Sequence, residues 1–550
     1  MGAEAAEKPE GAEKIKGLLS VLCTLCGLGV AFSQPFLGRI SFPNSGSPAA
    51  QAPFIRGVLL LHSFEYDDAI EAFKETQRAD PGFALAYWGE ALSYNQPLWY
   101  NENQEKARAA LAKLAPTAAK RQARAPTARE KGYLEAVERL YGAGPKTARD
   151  RAYADRMGEL SRENPSDEEA AAFYALALLA TIPSGSRNPA VSLQAGAIAT
   201  AILKRNSEHP GAAHYSLHAF DDGEHAAMGL DAARIYAKIA PASSHARHMP
   251  SHVFLPLGMW DEAAASDESA YAASVGRAKR KGLSPAQYDF HALGWLQYEY
   301  LQQGRFAKAQ ELIREVEQAL SLPAPPALPA RPAHPAHESE IGRGFSDVSV
   351  KSERASMRAR LIVERGAWDL MRGQPAFDNV DELFALGLAS VKLGDRPRAE
   401  AALGQLDTAR KSAPDADNRQ LAELMYREVG GLYQILRGER AEGLAALGSA
   451  AALERERPKP IARPYPIKPA GELYAEALLA AGDAAGAVRE FKEALSRTPR
   501  RAASLIGLVR ASKAAGQNAE AARAASEFVK MWRLADRNRP ELVEARGLAK

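Results

Sequence analysis

Gly57, Ala69, Phe73 and Pro81 set a pattern of two small residues, an aromatic and a proline, and the same offsets return at Ala475, Ala487, Phe491 and Pro499. The stretches concerned, HSFEYDDAIEAFKETQRADP and AAGDAAGAVREFKEALSRTP, lie near opposite ends of the chain. At close range the period is explicit: Gly482 and Gly516 are 34 residues apart, and so are Ala487 and Ala521. A unit of that size cannot bury its own apolar face. Neighbouring copies must stack, so the chain grows as an array instead of around one core.

Small residues at fixed places let two antiparallel helices touch, an aromatic packs between units, and proline ends the second helix. On these residues the chain resembles the tetratricopeptide repeat. The resemblance implies an all-α solenoid of helix-turn-helix units wound as a right-handed superhelix. Weaker copies keep a small residue five places after a loop glycine: Gly258 with Ala263, Gly304 with Ala309, Gly394 with Ala399, Gly438 with Gly443. Between them, Ala125 to Tyr141 has apolar residues at helical spacing and a Thr127–Glu130 capping box. No stretch alternates with period two, so no β-domain is expected.

The repeats break at Leu322 to His337, where alternating Pro and Ala forbid a helix and favour an extended spacer. This predicts an amino-terminal array over 52–320, a Pro/Ala-rich linker over 321–344, and a carboxy-terminal array over 345–550. At the start of the chain Lys14 and Lys16 precede an apolar run from Gly17 to Val30, and small residues follow at Ala31 and Ser33. That pattern predicts a signal peptide over 1–33 and an extended segment over 34–51. The run is shorter than the ~20 residues of a spanning helix, so no stable membrane insertion is expected once it is cleaved. Both cysteines, Cys23 and Cys26, fall inside it. An exported chain, periplasmic or secreted, would then fold without disulfides. Lys and Arg number 70 against 67 Asp and Glu, with no basic stripe, which excludes a nucleic-acid partner held by charge.

Beyond the repeat, the phrases FALAYWGEALSYNQPLW, HPGAAHYSLHAFDD, APASSHARHMPSHVF and KPAGELYAEALLAAG are similar to those of a group of exported bacterial tetratricopeptide proteins. The resemblance implies fold and export, and no activity.

Eight of the eleven histidines fall between His209 and His291. His214 and His218 are spaced to share one helix face, where two imidazoles can hold one metal ion. His248 and His252 repeat the spacing, with His245 three residues earlier, although Pro250 could start a helix between them. Phasing the repeat on Pro241 and Gly304 puts His245, His248, His252 and His291 on groove-facing places of consecutive first helices. With Asp222 as a carboxylate partner, His214, His218, His245, His248 and His252 are the candidate metal ligands. Such a set suits a transition metal such as zinc or copper, or nickel or iron. Two other readings stay open: imidazoles that only fix the stacking of helices, and a groove for an organic or peptide ligand lined by His62, Trp88, Trp99, His291 and Trp295. No catalytic residues are assigned, because His248 to His252 lacks the glutamate of a zinc peptidase and no nucleophile elbow or phosphate loop occurs. The leading expectation is an exported scaffold that binds a protein, peptide or small ligand in its concave groove, and the alternative is a metal-binding protein or metal-dependent enzyme.

Overall fold

Six of the hairpins turn through one residue that leaves the helical backbone for the left-handed region. Gly258, Gly304, Gly394, Gly438, Gly482 and Gly516 occupy it, with φ between 67° and 96°. In each case the amide after the glycine reaches back five residues, as Asp483 does to the Leu478 carbonyl at 3.0 Å, which closes the first helix and starts the second. Glycine suits this place because any Cβ there meets the following carbonyl.

The computed structural model describes residues 36–549 except 184–185, 322–346, 374–376 and 378. The expected signal peptide, both cysteines and nearly all of the expected linker lie outside them. Residues 36–47 form no helix or strand, and the first helix, Pro48–His62, begins inside the leading segment expected to run to 51. From there antiparallel helices follow in pairs: Pro48–His62 with Tyr66–Ala79, Glu168–Ala180 with Pro189–Arg205, Pro210–Ala219 with Leu230–Ile239, and so on to Asn518–Met531. The described residues hold no sheet beyond the two-residue ladder of Asn95–Gln96 with Asn101–Glu102. None of their helices is long and apolar enough to cross a membrane. This is the all-α tetratricopeptide-type solenoid.

The aromatic of each unit sits where the glycines leave room. A Cβ on Gly89 would lie 2.2 Å from the Phe73 ring, and one on Gly507 would lie 2.3 Å from Phe491. The carboxy-terminal repeats also pack on the turns of the earlier ones. Trp260 donates its indole N–H to the Arg500 carbonyl at 3.0 Å, and Trp532 donates to Gln302 at 2.8 Å. Between them Arg501, 1% exposed, pairs with Glu472 at 2.8 Å and Glu364 at 2.7 Å and donates to the Tyr298 hydroxyl at 3.2 Å. A buried guanidinium with that many partners fixes one arrangement of the elements that supply them.

Gly89→Ala and Gly507→Ala should each lower stability by about 1–3 kcal/mol in denaturant unfolding, because the added methyl displaces a packed ring. Gly404→Ala, in an exposed helical place with open space around it, should be neutral or stabilise by up to about 1 kcal/mol.

Candidate metal centre

Three consecutive first helices carry the histidines. His214 and His218 lie on Pro210–Ala219, whose start is capped by His209: its Nδ1 accepts the Ala212 amide at 3.1 Å. His245 and His248 lie on Ser244–His248, capped by Ser243, and His252 lies on Ser251–Phe254. Pro250 does not divide the path. Met249 and Pro250 keep right-handed helical angles, so His248 and His252 still meet although the proline has no N–H to give. His291 lies on Phe290–Gln302.

Six of these imidazoles converge as two triads, His214 with His218 and His245, and His248 with His252 and His291. Within each, one nitrogen per ring lies within 4.8 Å of the others. His214 Nε2 is 2.8 Å from His245 Nε2 and 3.0 Å from His218 Nε2, and His248 Nε2 is 3.0 Å from His252 Nε2. Nitrogens held about 2.0 Å from one shared ion stand roughly 3 Å apart.

The outward-facing nitrogens determine what the inward ones can be. The His62 carbonyl, 2.6 Å from His214 Nδ1, can only accept, so His214 carries its proton there and turns a lone pair inward. Asp221 does the same for His252 Nδ1 at 2.8 Å, and Asp267 for His248 Nδ1 at 2.6 Å. Burial, with each carboxyl beside the other, pushes both Asp267 and Glu299 above the usual carboxylate range. His248 and His252 therefore face each other with lone pairs at 3.0 Å, a contact that a cation between them would satisfy.

Burial first, then repulsion by neighbouring imidazoles, holds His214, His218, His245 and His248 well below the ordinary value of 6.5. The repulsion crosses between triads. His252 acts on His214, His218 and His245, and His248 and His291 act on His245. The triads are thus electrostatic neighbours.

Phe64 forms a wall of the first triad. Its ring centroid is 4.2 Å from that of His214, and it stacks on His245 at 5.5 Å and on His218 at 5.6 Å. Phe64 stands at the turn of the first hairpin, in the register of Gly482, with φ 58° and the same return bond, Glu65 N–H to the Leu60 carbonyl at 3.0 Å. A bulky residue there costs about 1–2 kcal/mol relative to glycine. On the second triad Trp295 stacks on His252 at 4.4 Å and meets His248 edge-on at 5.1 Å.

The other expected residues are placed as follows. Asp222 is apart from the triads: it caps the Glu224 and His225 amides and pairs with the His225 ring at 2.8 Å, while its neighbour Asp221 turns to His252. His62 is buried in a closed network, Nδ1 on the Tyr215 hydroxyl at 2.8 Å and Nε2 on Glu169 at 2.7 Å, and His209 Nε2 lies 3.2 Å from the same carboxylate. Both His62 nitrogens are hydrogen-bonded, whereas His209 Nε2 meets Glu169 as an ion-pair contact only, and the ligand atoms of the three side chains lie within 4.8 Å of one another. Trp88 is buried among Phe42, Tyr133 and Phe173, away from any groove. Trp99 is half-buried and packs on Phe64 and His245, and His291 and Trp295 belong to the second triad. Sequence reasoning counted Asp221 among the nearby carboxylates without assigning it to His252, and passed over Phe64, Asp267 and Glu299. Of these only Phe64 leaves a signal, an aromatic in a glycine slot.

No protein-family model matches the chain, and no curated protein is similar enough to match. Among solved structures it is similar to a tetratricopeptide repeat protein from Parabacteroides merdae, with 16% identity over 56% of this chain and 98% of that one at a TM-score of 0.28. It is likewise similar to human IFIT1 bound to m7Gppp-AAAA, with 12% identity over 90% and 91% at 0.34, and to the P58(IPK) TPR domain, with 14% over 85% and 98% at 0.22. Function has to be read from the chain's own residues.

In the metal-free protein the four lowered imidazoles should stay neutral from about pH 8 down to about pH 6, because a depressed value favours the uncharged ring. Ring-nitrogen NMR checks this: midpoints near 6.5 for these four would mean that water, not packing, surrounds them.

Proposed function

We infer that this repeat scaffold is a metal-binding protein whose first helices present two three-histidine sites side by side. The observation that carries the reading is the convergence of Nε2 atoms at 2.8–3.0 Å while the opposite nitrogens of His214, His248 and His252 are held by a carbonyl or carboxylate. Rings that merely stapled helices would spend both nitrogens on separate partners, as His62 does. Three ligands per ion leave a coordination position open, the pattern of sites that exchange a ligand or do chemistry. The groove reading is weaker, since two of its anchors, His62 and Trp88, are buried.

Export joins this reading on the leader pattern of Lys14, Lys16 and the apolar run after them. Protein or peptide partners stay a separate proposal, for which the repeat architecture is the support.

Elemental analysis of protein purified without chelator or affinity histidines should find about two transition-metal ions per chain, one for each open three-ligand site. His214→Ala with His218→Ala should remove one ion, and His248→Ala with His291→Ala the other, with helical circular dichroism unchanged. Asp221→Asn, which leaves the ligands in place but loosens His252, should weaken the second ion by about 10-fold or more. Wild-type protein that takes up no metal on reloading would sink the reading.

A further inference from the structure

We propose that the carboxy-terminal repeats enclose a second binding site, separate from the histidine triads, for an amphipathic monoanion: an apolar body carrying one carboxylate.

The site is a cavity of about 510 Å³. Three first helices form one side of it, each through residues a turn apart on one face: Leu388 and Lys392 on Val380–Lys392, Leu473 and Glu476 on Ala470–Ala480, Ile506 and Arg510 on Ala502–Ala514. The facing side comes from distant parts of the chain. Leu301 and Phe306 flank the turn at Gly304, and Trp532 seals against that turn by donating its indole N–H to the Gln302 carbonyl at 2.8 Å. The return of the last repeats onto the earlier ones therefore makes a chamber of what would be an open groove. Its volume is that of a small-molecule site, and an apolar surface gathered in a concavity with a few charged groups is what such a site presents.

Charge decides the class of ligand. Seven ionisable side chains line the cavity, and five of them are already paired. Glu364 is 2.7 Å from Arg501, Glu541 is 2.9 Å from Arg539, and Arg510 is 2.8 Å from Glu544. Lys468, 7% exposed, holds Glu472 at 2.8 Å and Glu476 at 2.5 Å. Arg365 and Lys392 are different. Both are exposed, and among the described residues neither has a carboxylate within ion-pair distance. They end Asp347–Arg365 and Val380–Lys392, two helices that pack on each other.

With the pairing partners counted, Arg365, Lys392, Lys468, Arg501, Arg510 and Arg539 face Glu364, Glu472, Glu476, Glu541 and Glu544. The surplus is one positive charge. One carboxylate balances it, whereas a cation adds to it and a polyacid overshoots it. Lys468 matters to the count because it neutralises Glu476, which would otherwise repel an anion in the chamber. The ligand's carboxylate meets Arg365 and Lys392, and its body lies against Phe306, Ile506 and Trp532.

The test is calorimetric titration of full-length protein with laurate, with 2-naphthoate for an aromatic body, and with dodecanol as the same chain without the charge. One laurate should bind per chain, and dodecanol should bind about tenfold more weakly. Arg365→Glu with Lys392→Glu, both on the surface, should weaken laurate about tenfold and leave dodecanol unchanged. Ala503→Trp, which fills the cavity from Ala502–Ala514, should abolish both while helical circular dichroism persists. Tighter binding of 2-naphthoate than of laurate, with the same response to the variants, would support the site and assign it an aromatic acid. Equal affinity for laurate and dodecanol, laurate binding that survives Ala503→Trp, or binding of neither carboxylate would overturn the proposal. So would a poly-glutamate peptide that displaces laurate, since the chamber would then belong to acidic chains. The metal content of every variant should match wild type, so either reading can fail while the other stands.

Discussion

Most of the regular hairpins of this solenoid depend on one left-handed residue and the return bond to the carbonyl five residues back that it permits. That closure sets where the second helix starts, hence how deeply the next first helix settles on it, hence which side-chain rows face the neighbours. Glycine fulfils it at no steric cost in hairpin after hairpin. In the first hairpin the same bond is kept with Phe64 in the slot, and the turn accepts strain to put a ring against three imidazoles. Local rules broken at one place and kept elsewhere mark where the fold serves something besides stability.

The centre is assembled from residues that stacking, not sequence proximity, brings together. Helices in adjacent repeats are parallel copies, so imidazoles at matching places on three first helices form a row. The row is then divided by what holds each ring from behind. The His62 carbonyl fixes His214 and Asp267 fixes His248, so the two rings aim at different points although the residues between them belong to one surface. His62 contributes through its backbone carbonyl, while its ring is locked into Glu169 and Tyr215. A buried cluster thereby supports a site that needs precise ring angles.

Much of this was legible. The 34-residue recurrence and the helical spacing of His214 and His218 are local patterns that survive into the structure, and His291 does fall on the helix next to His248 and His252. What was not legible depends on tertiary direction. Asp221 and Asp222 are adjacent and chemically identical, and only the path of the turn after Phe220 sends the first to His252 and the second to the amides of its own loop. Nothing in the spacing of His245, His248 and His252 says that the first joins His214 while the other two join His291. Pro250 pointed towards a break, yet its fixed φ suits the first turn of a helix as well as it ends one, and the chain passes through it in helical conformation. Arg501 is one arginine among many until Tyr298, Glu364 and Glu472 are seen around it.

Rigidity connects these features. Repeat arrays flex because each unit contacts only its neighbours. Here the carboxy-terminal repeats return onto the turns at Gly258 and Gly304, where Arg500 donates to the Gly258 carbonyl at 2.9 Å and the Asp536 amide to that of Gly304 at 3.0 Å. The clamped turns sit at the far ends of the first helices that carry His252 and His291, so those helices are tied from outside the local stack. Three-histidine sites tolerate little drift, since a shift of half an ångström in one ring already spoils a shared coordination distance. An open array of the same repeats could present the same histidines, but it could not hold two triads in register against bending, and the long-range clamp is what the extra repeats contribute.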